Sequence, residues 1–597
     1  MQKEKNKPRH GLDRLKKASD MLPHSWISES MRMLGIANNI IEIFENSMPS
    51  WKTNLFSDGK LLGTVKIKRG IFQGDSFSPL MFVMALIPIT HVLRSTQMGY
   101  QIEKNGPTIN HTLFMDDLKL FGKNENEIDS LVKTVEQCSN DICMKFGVAK
   151  CAVVNMKRGK RHSAREIKLP SGEEMREPNP EGYKYLGILE LEVILCKEMR
   201  TKVKKEYTRR ILLLLKSQLN GRNLFSAINS WAVAVVRYSA AFINWPRNEM
   251  RELDRNTRKL LVKYGALHPK SNVQRVYMKR KVGGRGLISV EECVASEIRN
   301  IHHYLVNSQE VLLKAVVKEH KLDDRVIEEK DEYNRRVESE KEEAISRMKL
   351  HGQFEENTKE SKSEESWTWL RKGTLKRETE SLIMAAQEQA LNTNSVKRNI
   401  YKMDVSDKCR LCGKKTESVT HIVSACEVIA NKGYKRRHDK VCLNLHWQLC
   451  KKYGFPVADR WYRHEPEGAI ENDRAKILWD FMVQCDIQIE HRKPDIIVID
   501  KKDKMCKIID VACPGDHNLV EKRNEKMNRY ADLRLEIARM WNIKTIVVPI
   551  IIGALGSIPK DIHKFLKLLD IDYDLNILQL SVLLGTANIL RKVLAMQ

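Results

Sequence analysis

The sequence predicts a multidomain protein of mixed α+β and α/β class, and three observations carry that prediction. The chain has 597 residues, enough for roughly three to five domains that each bury a core. Strand, hairpin and helix patterns alternate over residues 1–190, and a strand–turn–strand–helix–strand order returns after residue 490. Between them lie a mostly helical stretch and one tight cluster of cysteine and histidine. The 103 Lys and Arg against 77 Asp and Glu leave a net charge of +26, which favours a polyanion partner through phosphate contacts and counterion release. No apolar run reaches a membrane span of about twenty residues. The longest, Thr545 to Ala554, contains Pro549 and Gly553 and reads as a buried strand. Met1-Gln2-Lys3-Glu4-Lys5 lacks the apolar core of a signal peptide, and an odd, scattered set of 13 cysteines fits a reducing compartment.

In chain order, Met31, Leu34, Ile40, Ile41 and Phe44 recur at helical spacing. Trp51 to Lys68 reads as a hairpin turning at Ser57-Asp58-Gly59. Arg69 to Leu80 is rich in small residues that let a ligand approach the backbone, and an apolar helix follows from Leu80 to Leu93. Leu113 to Phe121 reads as a hairpin whose tight turn carries Asp116 and Asp117. Two acids on a rigid turn in so basic a chain point to a metal held against phosphate, while Asp also favours turns for backbone reasons alone. A helix stripe runs through Ile128, Leu131, Val132, Val135 and Cys138, and a strand follows from Ala152 to Met156. The basic loop Lys157 to His162 reads equally as a nucleic-acid contact, a nuclear address or a solvated turn. Tyr183 to Ile188 is a further hairpin, Lys197 to Asn307 is mostly helical, and 317–364 is solvated helix or linker.

Cys409-x2-Cys412-x8-His421-x4-Cys426 supplies four soft or borderline ligands at the short spacing of a closed tetrahedral zinc site. His438, Cys442, His446 and Cys450 follow at i, i+4, i+8 and i+12 and read as a helix face rather than a second site. Farther on, a hairpin centred between Lys502 and Asp503 sets Asp495 directly opposite Asp510, two carboxylates on one face. A helix from Val520 to Trp541 puts Lys522, Lys526 and Tyr530 on one side, within reach of the same phosphate, and strand Thr545 to Ile552 completes a small α/β core.

In order, these elements resemble the palm and thumb of reverse transcriptases from non-LTR retrotransposons of the branch with a restriction-like endonuclease. The motifs are Asp20 to Ile27, Arg69 to Pro79, Phe114-Met115-Asp116-Asp117, Phe146 to Cys151 and Tyr183 to Ile188. The resemblance implies a partial right-hand palm over 1–190, a helical thumb over 191–315, a charged helical linker over 316–400, a CCHC zinc knuckle over 401–453 and a PD-(D/E)xK-type endonuclease over 454–597. It further implies Mg2+ on the catalytic Asp116 and Asp117, with Arg69, Gln73, Gly74 and Lys150 against template or nucleotide. Zn2+ would sit on Cys409, Cys412, His421 and Cys426. In the endonuclease, Asp495 and Asp510 would hold Mg2+, Lys526 and Tyr530 would complete the catalytic set, and Lys522 would reach phosphate. The implied partners are an RNA template, dNTPs and a double-stranded DNA target, in the nucleus and away from membrane.

The sequence departs from that family in places. The first motif's metal-binding Asp is expected six residues before Asp20, where Arg14 stands; Asp13 is one residue off, and a one-residue shift in a strand turns a side chain to the other face. Ser19 replaces the usual aromatic, and the fingers region that should precede the motif has about a dozen residues in its place. The common nuclease lysine, two residues after the second acid, is Ala512, so the helix must supply it. The expectation is a truncated polymerase with weak or absent synthesis beside a complete nuclease. The alternative is a non-catalytic nucleic-acid-binding remnant of a decayed element.

Overall fold

A computed structural model describes residues 9–16, 18–103, 106–147, 151–157, 160–164, 166–169, 171–324, 327–359 and 361–596. They form two compact units: Met1–Lys204 with Arg237–Trp245 and Val294–Ile327, and Lys205–Val236 with Pro246–Cys293 and Glu328–Gln597.

The first unit is built on strand β1 (Arg9–Lys16), helices α1 (His24–Met33) and α2 (Ser78–Ser95), strands β2 (His111–Phe114) and β3 (Asp117–Gly122), helix α3 (Glu125–Asp141), and strands β4 (Ala152–Lys157), β5 (Lys160–His162), β6 (Tyr183–Tyr185) and β7 (Ile188–Glu190). Its main sheet is antiparallel in the order β5-β4-β1-β3-β2, with Lys145–Phe146 also paired to β1. Leu118 and Leu120 alternate into a core with Met81, Ala85, Leu131, Val135 and Val153, which leaves Asp117 and Lys119 on the other face. Asn124 caps α3 by accepting from the Glu127 amide at 2.9 Å, and Trp26 Nε1 donates to the Ala85 carbonyl at 2.9 Å, joining α1 to α2.

Two expectations need correction here. The stripe from Met31 to Phe44 is two helices, His24–Met33 and Asn38–Ser47, because Gly35 takes φ +72° between them. The basic loop at Lys157 to His162 is mostly strand: Arg161 pairs with Met156 in register, and its guanidinium holds Glu177 at 2.7 Å.

His111 gives the unit a pH signature. Its ring nitrogens meet Asn110 Oδ1 at 2.7 Å and Thr90 Oγ1 at 3.2 Å, and burial, then the Arg94 charge, push the imidazole down to about 4. Unfolded, the ring titrates near 6.5. Between those values the unfolded chain binds a proton that the folded chain refuses, so stability falls as pH drops through that window. Melting of wild type and His111→Gln compared from neutral pH down to about 4 should show wild type losing ground; parallel curves would contradict this.

In the second unit, helix α4 (Lys435–Tyr453) lies on one face of a sheet formed by β8 (Ala469–Glu471), β9 (Ala475–Trp479), β10 (Ile496–Asp500), β11 (Met505–Ala512) and β12 (Lys544–Ile551). The order is β8-β9-β10-β11-β12, antiparallel except for the parallel β11–β12 pair. Helices α5 (Leu519–Arg529) and α6 (Ala531–Trp541) make the crossover that a parallel pair requires. Ile496, Val498, Ile509, Val511, Val548 and Ile550 face α4, helix α7 (Ile562–Leu569) and the start of helix α8 (Leu575–Leu594). Ile497, Cys506, Ile508 and Val547 face Leu533 and Ile537 of α6. The expected single helix from Val520 to Trp541 breaks at Tyr530, whose φ −104° and ψ 15° leave the helical region.

The charged stretch is helical over Lys330–Ser346, but Phe354, Trp367, Trp369 and Leu370 beyond it are core residues and not linker. The expectation of no membrane-length apolar segment also fails on length and composition. Ser78–Ser95 and Leu575–Leu594 both meet that test, and 44% and 56% of their apolar windows are buried inside the protein.

Candidate functional site

Three constellations can be built from the residues upward. The first is the acidic hairpin. Phe114 pairs with Asp117, so Met115 and Asp116 alone form the turn, with Met115 at φ +53°; Asp117 is the first residue of β3 rather than part of the turn. Both aspartates are half-buried. The β6–β7 hairpin turns through Leu186 and Gly187, both at positive φ, and docks beside them. Tyr185 OH lies 3.1 Å from Thr112 Oγ1, and Lys119 Nζ pairs with Glu190 at 2.6 Å and stands over the Tyr185 ring. Burial, with the Asp117 and Glu190 charges, raises the Tyr185 phenol. Across the sheet, register sets Arg14 opposite Asp117 and Asp13 opposite Leu118, so the backbone makes no shift that would exchange the two.

The Arg69–Leu80 segment is held against Ser19–His24. The Gly70 amide donates to the Leu22 carbonyl at 2.7 Å and the Ile71 amide to the Ser19 carbonyl at 2.9 Å, and His24 Nε2 meets the Gly70 carbonyl at 2.9 Å. Gly70 sits at φ +85°, and a Cβ there would stand 2.7 Å from the Asp20 carbonyl oxygen. Gly70→Ala should therefore cost roughly 1–3 kcal/mol, read as a drop in the denaturant midpoint; an unchanged midpoint would show the close approach to be unimportant. Asp75 accepts from the Ser78 hydroxyl and amide, which starts α2 and holds its carboxyl below the usual range. Arg69, Gln73 and Gly74 are exposed; Gln73 Nε2 lies 3.5 Å from Asp20 Oδ1. Lys150 lies outside the described residues.

The second constellation is the cysteine–histidine cluster. Cys409, Cys412, His421 and Cys426 bring one ligand atom each within 4.8 Å of one another, with Cys409 Sγ 3.9 Å from Cys426 Sγ and Cys412 Sγ 3.4 Å from His421 Nε2. The Gly413 amide closes the knuckle turn on the Cys409 carbonyl at 2.8 Å. Buried Glu417 grips Arg410 between the two halves. Backbone hydrogen bonds from Lys415 and Lys414 lower the Cys412 thiol, whereas burial pushes Cys426 up to about 11. Three thiols and an imidazole turned to one point are a donor set that suits zinc.

The third constellation lies in a cleft of about 590 Å³. Ile496 pairs with Ile509, so Asp495, just before β10, is one register step beyond, level with Asp510. Asp495 Oδ2 accepts from the Val511 amide at 2.7 Å and from His438 Nε2 at 3.0 Å. Asp510 Oδ1 accepts from Tyr530 OH at 2.9 Å, and its buried Oδ2 makes no directed hydrogen bond and is met at 2.5 Å by Lys526 Nζ. The break at Tyr530 is what lets the phenol and the lysine reach the same carboxylate. Lys522 lines the cleft but pairs with Glu525 at 2.6 Å.

Burial and the Asp495 charge raise Asp510, against the pull of Lys526 and Tyr530. Burial acts the same way on Asp495, but the His438 hydrogen bond and charge outweigh it and hold that carboxyl low. Burial lowers His438, yet hydrogen bonds to Asp439 and Asp495 outweigh it and hold the ring well above the usual histidine range. Half-buried Asp495 and buried Asp510 are mutually repelling carboxylates, and the Asp510 Oδ2 is met by the Lys526 ammonium alone; such oxygen donors suit a hard divalent cation. His438 is the residue that the sequence reading assigned to a plain helix face. Its i, i+4 partner Cys442 joins it and Asp495 within 4.8 Å, and helix spacing alone carries no signal of that long-range contact.

Comparison with known proteins bears on the segment that carries the first of these constellations. Residues 3–189 match the family described as reverse transcriptase (RNA-dependent DNA polymerase). This segment is a reverse-transcriptase domain. The reverse-transcriptase domain is homologous to the Pol polyproteins of R2-type retrotransposable elements. The polyprotein of type-2 retrotransposable element R2DM of Drosophila melanogaster is 25% identical over 177 residues, 29% of this chain and 16% of the relative. That of type-1 retrotransposable element R2 of Popillia japonica is 22% identical over 290 residues, 47% of each. The chain thus aligns with less than half the length of either relative. Among solved structures, the telomerase of Candida albicans with a fragment of telomeric RNA gives a TM-score of 0.24 at 14% identity, over 54% of this chain and 50% of that one.

Proposed function

We propose that this chain is the polymerase and endonuclease of an R2-type retrotransposon. It would nick double-stranded DNA in the nucleus and copy RNA with dNTPs from the exposed end. The observation that carries the nuclease half is that Asp495 and Lys526 line one cleft while buried Asp510, held by Tyr530, meets Lys526 from behind its wall. Asp495 and Asp510 would hold a divalent cation, which would supply an activated water and a clamp on the scissile phosphate. Tyr530 and His438 orient one carboxylate each. Lys526 is placed to neutralise charge developing on the phosphate, and Lys522 at the cleft edge to meet the backbone. Incubation of the purified chain with supercoiled plasmid in Mg2+ tests this reading. Open-circle product is expected, and its absence with and without RNA present would refute it.

For synthesis, one observation favours the second reading, a polymerase domain retained for binding: the register that sets Arg14 across from Asp117. We expect wild type to extend a primer on a homopolymer RNA poorly. An acid at that register position, Arg14→Asp, should raise Mg2+-dependent extension by about a hundredfold, in line with a metal clamp of several kcal/mol. Efficient, Asp116-dependent extension by wild type would overturn the impairment.

A further inference from the structure

The sequence reading treated His446 and Cys450 as part of a helix face, and the fold adds a third ligand to them from elsewhere in the chain. His464 follows the short 3-10 turn Trp461–Arg463, in the loop between α4 and β8. Its Nε2 lies 2.9 Å from His446 Nδ1, and Cys450 Sγ lies 3.5 Å from that same Nδ1. The three ligand atoms all fall within 4.8 Å of one another. Around a zinc ion bound at about 2.0–2.3 Å in tetrahedral geometry, ligand atoms stand about 3.3–3.8 Å apart. The spacing here, 2.9 and 3.5 Å, is as tight as the 3.4 and 3.9 Å pairs of the Cys409 cluster. A hydrogen-bonded pair of neutral imidazoles would explain His446 and His464 alone. It does not explain why a thiol one helical turn away turns to the same nitrogen.

Burial sharpens the case. His446 and Cys450 are 1% and 0% exposed, in a core with Leu445, Leu449 and Tyr453, and the edge of the His446 ring meets Trp479 at 5.3 Å between centroids. Polar atoms gathered in so apolar a place are costly unless something binds them. We propose that His446 Nδ1, Cys450 Sγ and His464 Nε2 form a second zinc site, distinct from the Cys409 cluster, with water in the fourth position. Two imidazoles and a thiolate are a borderline-soft set that selects zinc over Mg2+. The site would staple the loop carrying His464 to α4. It would also fix Trp479, whose indole lines the nuclease cleft on one side and touches His446 on the other. The proposal does not depend on the nuclease reading, because its readout is metal content.

The full chain, purified without chelators, should carry two zinc equivalents by elemental mass spectrometry. Cys409→Ser should lose one, His464→Ala the other, and the double variant both. His464→Cys, which restores a ligand but not a hydrogen-bonding imidazole, should recover two. Cobalt exchanged into Cys409→Ser should give a thiolate-to-metal absorption band that His464→Ala removes. A single equivalent in wild type, lost in Cys409→Ser and untouched by His464→Ala, overturns the proposal, as does failure of His464→Cys to retain the second ion. A single equivalent with the opposite dependence would uphold this site and remove the knuckle instead.

Discussion

Asp510→Asn should remove Mg2+-dependent plasmid nicking while leaving the chain folded. Asp510 takes hydrogen-bond and charge contacts from Tyr530 and Lys526, and its carboxyl is raised by burial and by Asp495. An amide keeps the Tyr530 contact but removes the charge that would draw a cation. Since a metal clamp is worth several kcal/mol and each ~1.4 kcal/mol is tenfold, the expected loss is about 10³-fold or more in single-turnover rate. Asp495→Asn should match it. Tyr530→Phe, which removes one hydrogen bond of roughly 1 kcal/mol to Asp510, should cost only about fivefold. The graded series distinguishes a metal site from general damage. If both aspartate variants nick at the wild-type rate, Asp495 and Asp510 do no catalysis.

Removing zinc from the Cys409 cluster should sharply lower the melting temperature of the second unit. Cys409 and Cys426 belong to the same core as Trp369, Ile383, Leu590 and Val593, so the knuckle is not an appendage. Structural zinc contributes apparent binding energies of about 10–16 kcal/mol in small zinc domains. That is of the same order as the roughly 5–15 kcal/mol by which a domain is stable, and in this unit it adds to a separate core under the Asp495–Asp510 sheet. Cys412→Ser, or a strong chelator, should therefore lower the thermal midpoint of this unit steeply and take nicking with it, while the sheet core and the His464 loop stay folded at low temperature. The control is readdition of zinc, which should restore both in chelated wild type but not in Cys412→Ser. Superimposable melting curves with and without chelator would show that the four residues hold no structural metal.

How much of this was legible beforehand depends on the range of the interactions. The pairing that levels Asp495 with Asp510 follows from where one turn falls, because antiparallel register is arithmetic once the turn is placed. The Asp116 hairpin and the knuckle spacing are local in the same sense. The break at Tyr530 was not legible. No Gly or Pro marks it; the phenol leaves the helix for Asp510, a contact between residues 20 apart. His438 and His464 were missed for the same reason, since helix spacing shows which residues share a face but not what that face meets. Leu575–Leu594 reads as membrane-length by composition, yet its apolar residues are divided between two cores of one unit. Composition cannot distinguish a helix buried in protein from one buried in lipid.

That last helix has a consequence for synthesis. Leu575, Leu578 and Val582 of α8 complete the core under the sheet that carries Asp510, and Leu583, Ala587, Leu590 and Val593 complete the core around Cys409 and Cys426. Arg437, next to His438 and almost wholly buried, ties the Val423 and Cys513 carbonyls to Thr586 of the same helix. Everything this segment closes upon leaves the ribosome before it does. Neither core is complete until this helix has been made. A translation product cut short upstream of α8, however intact its Asp495 and Asp510, would leave both cores open.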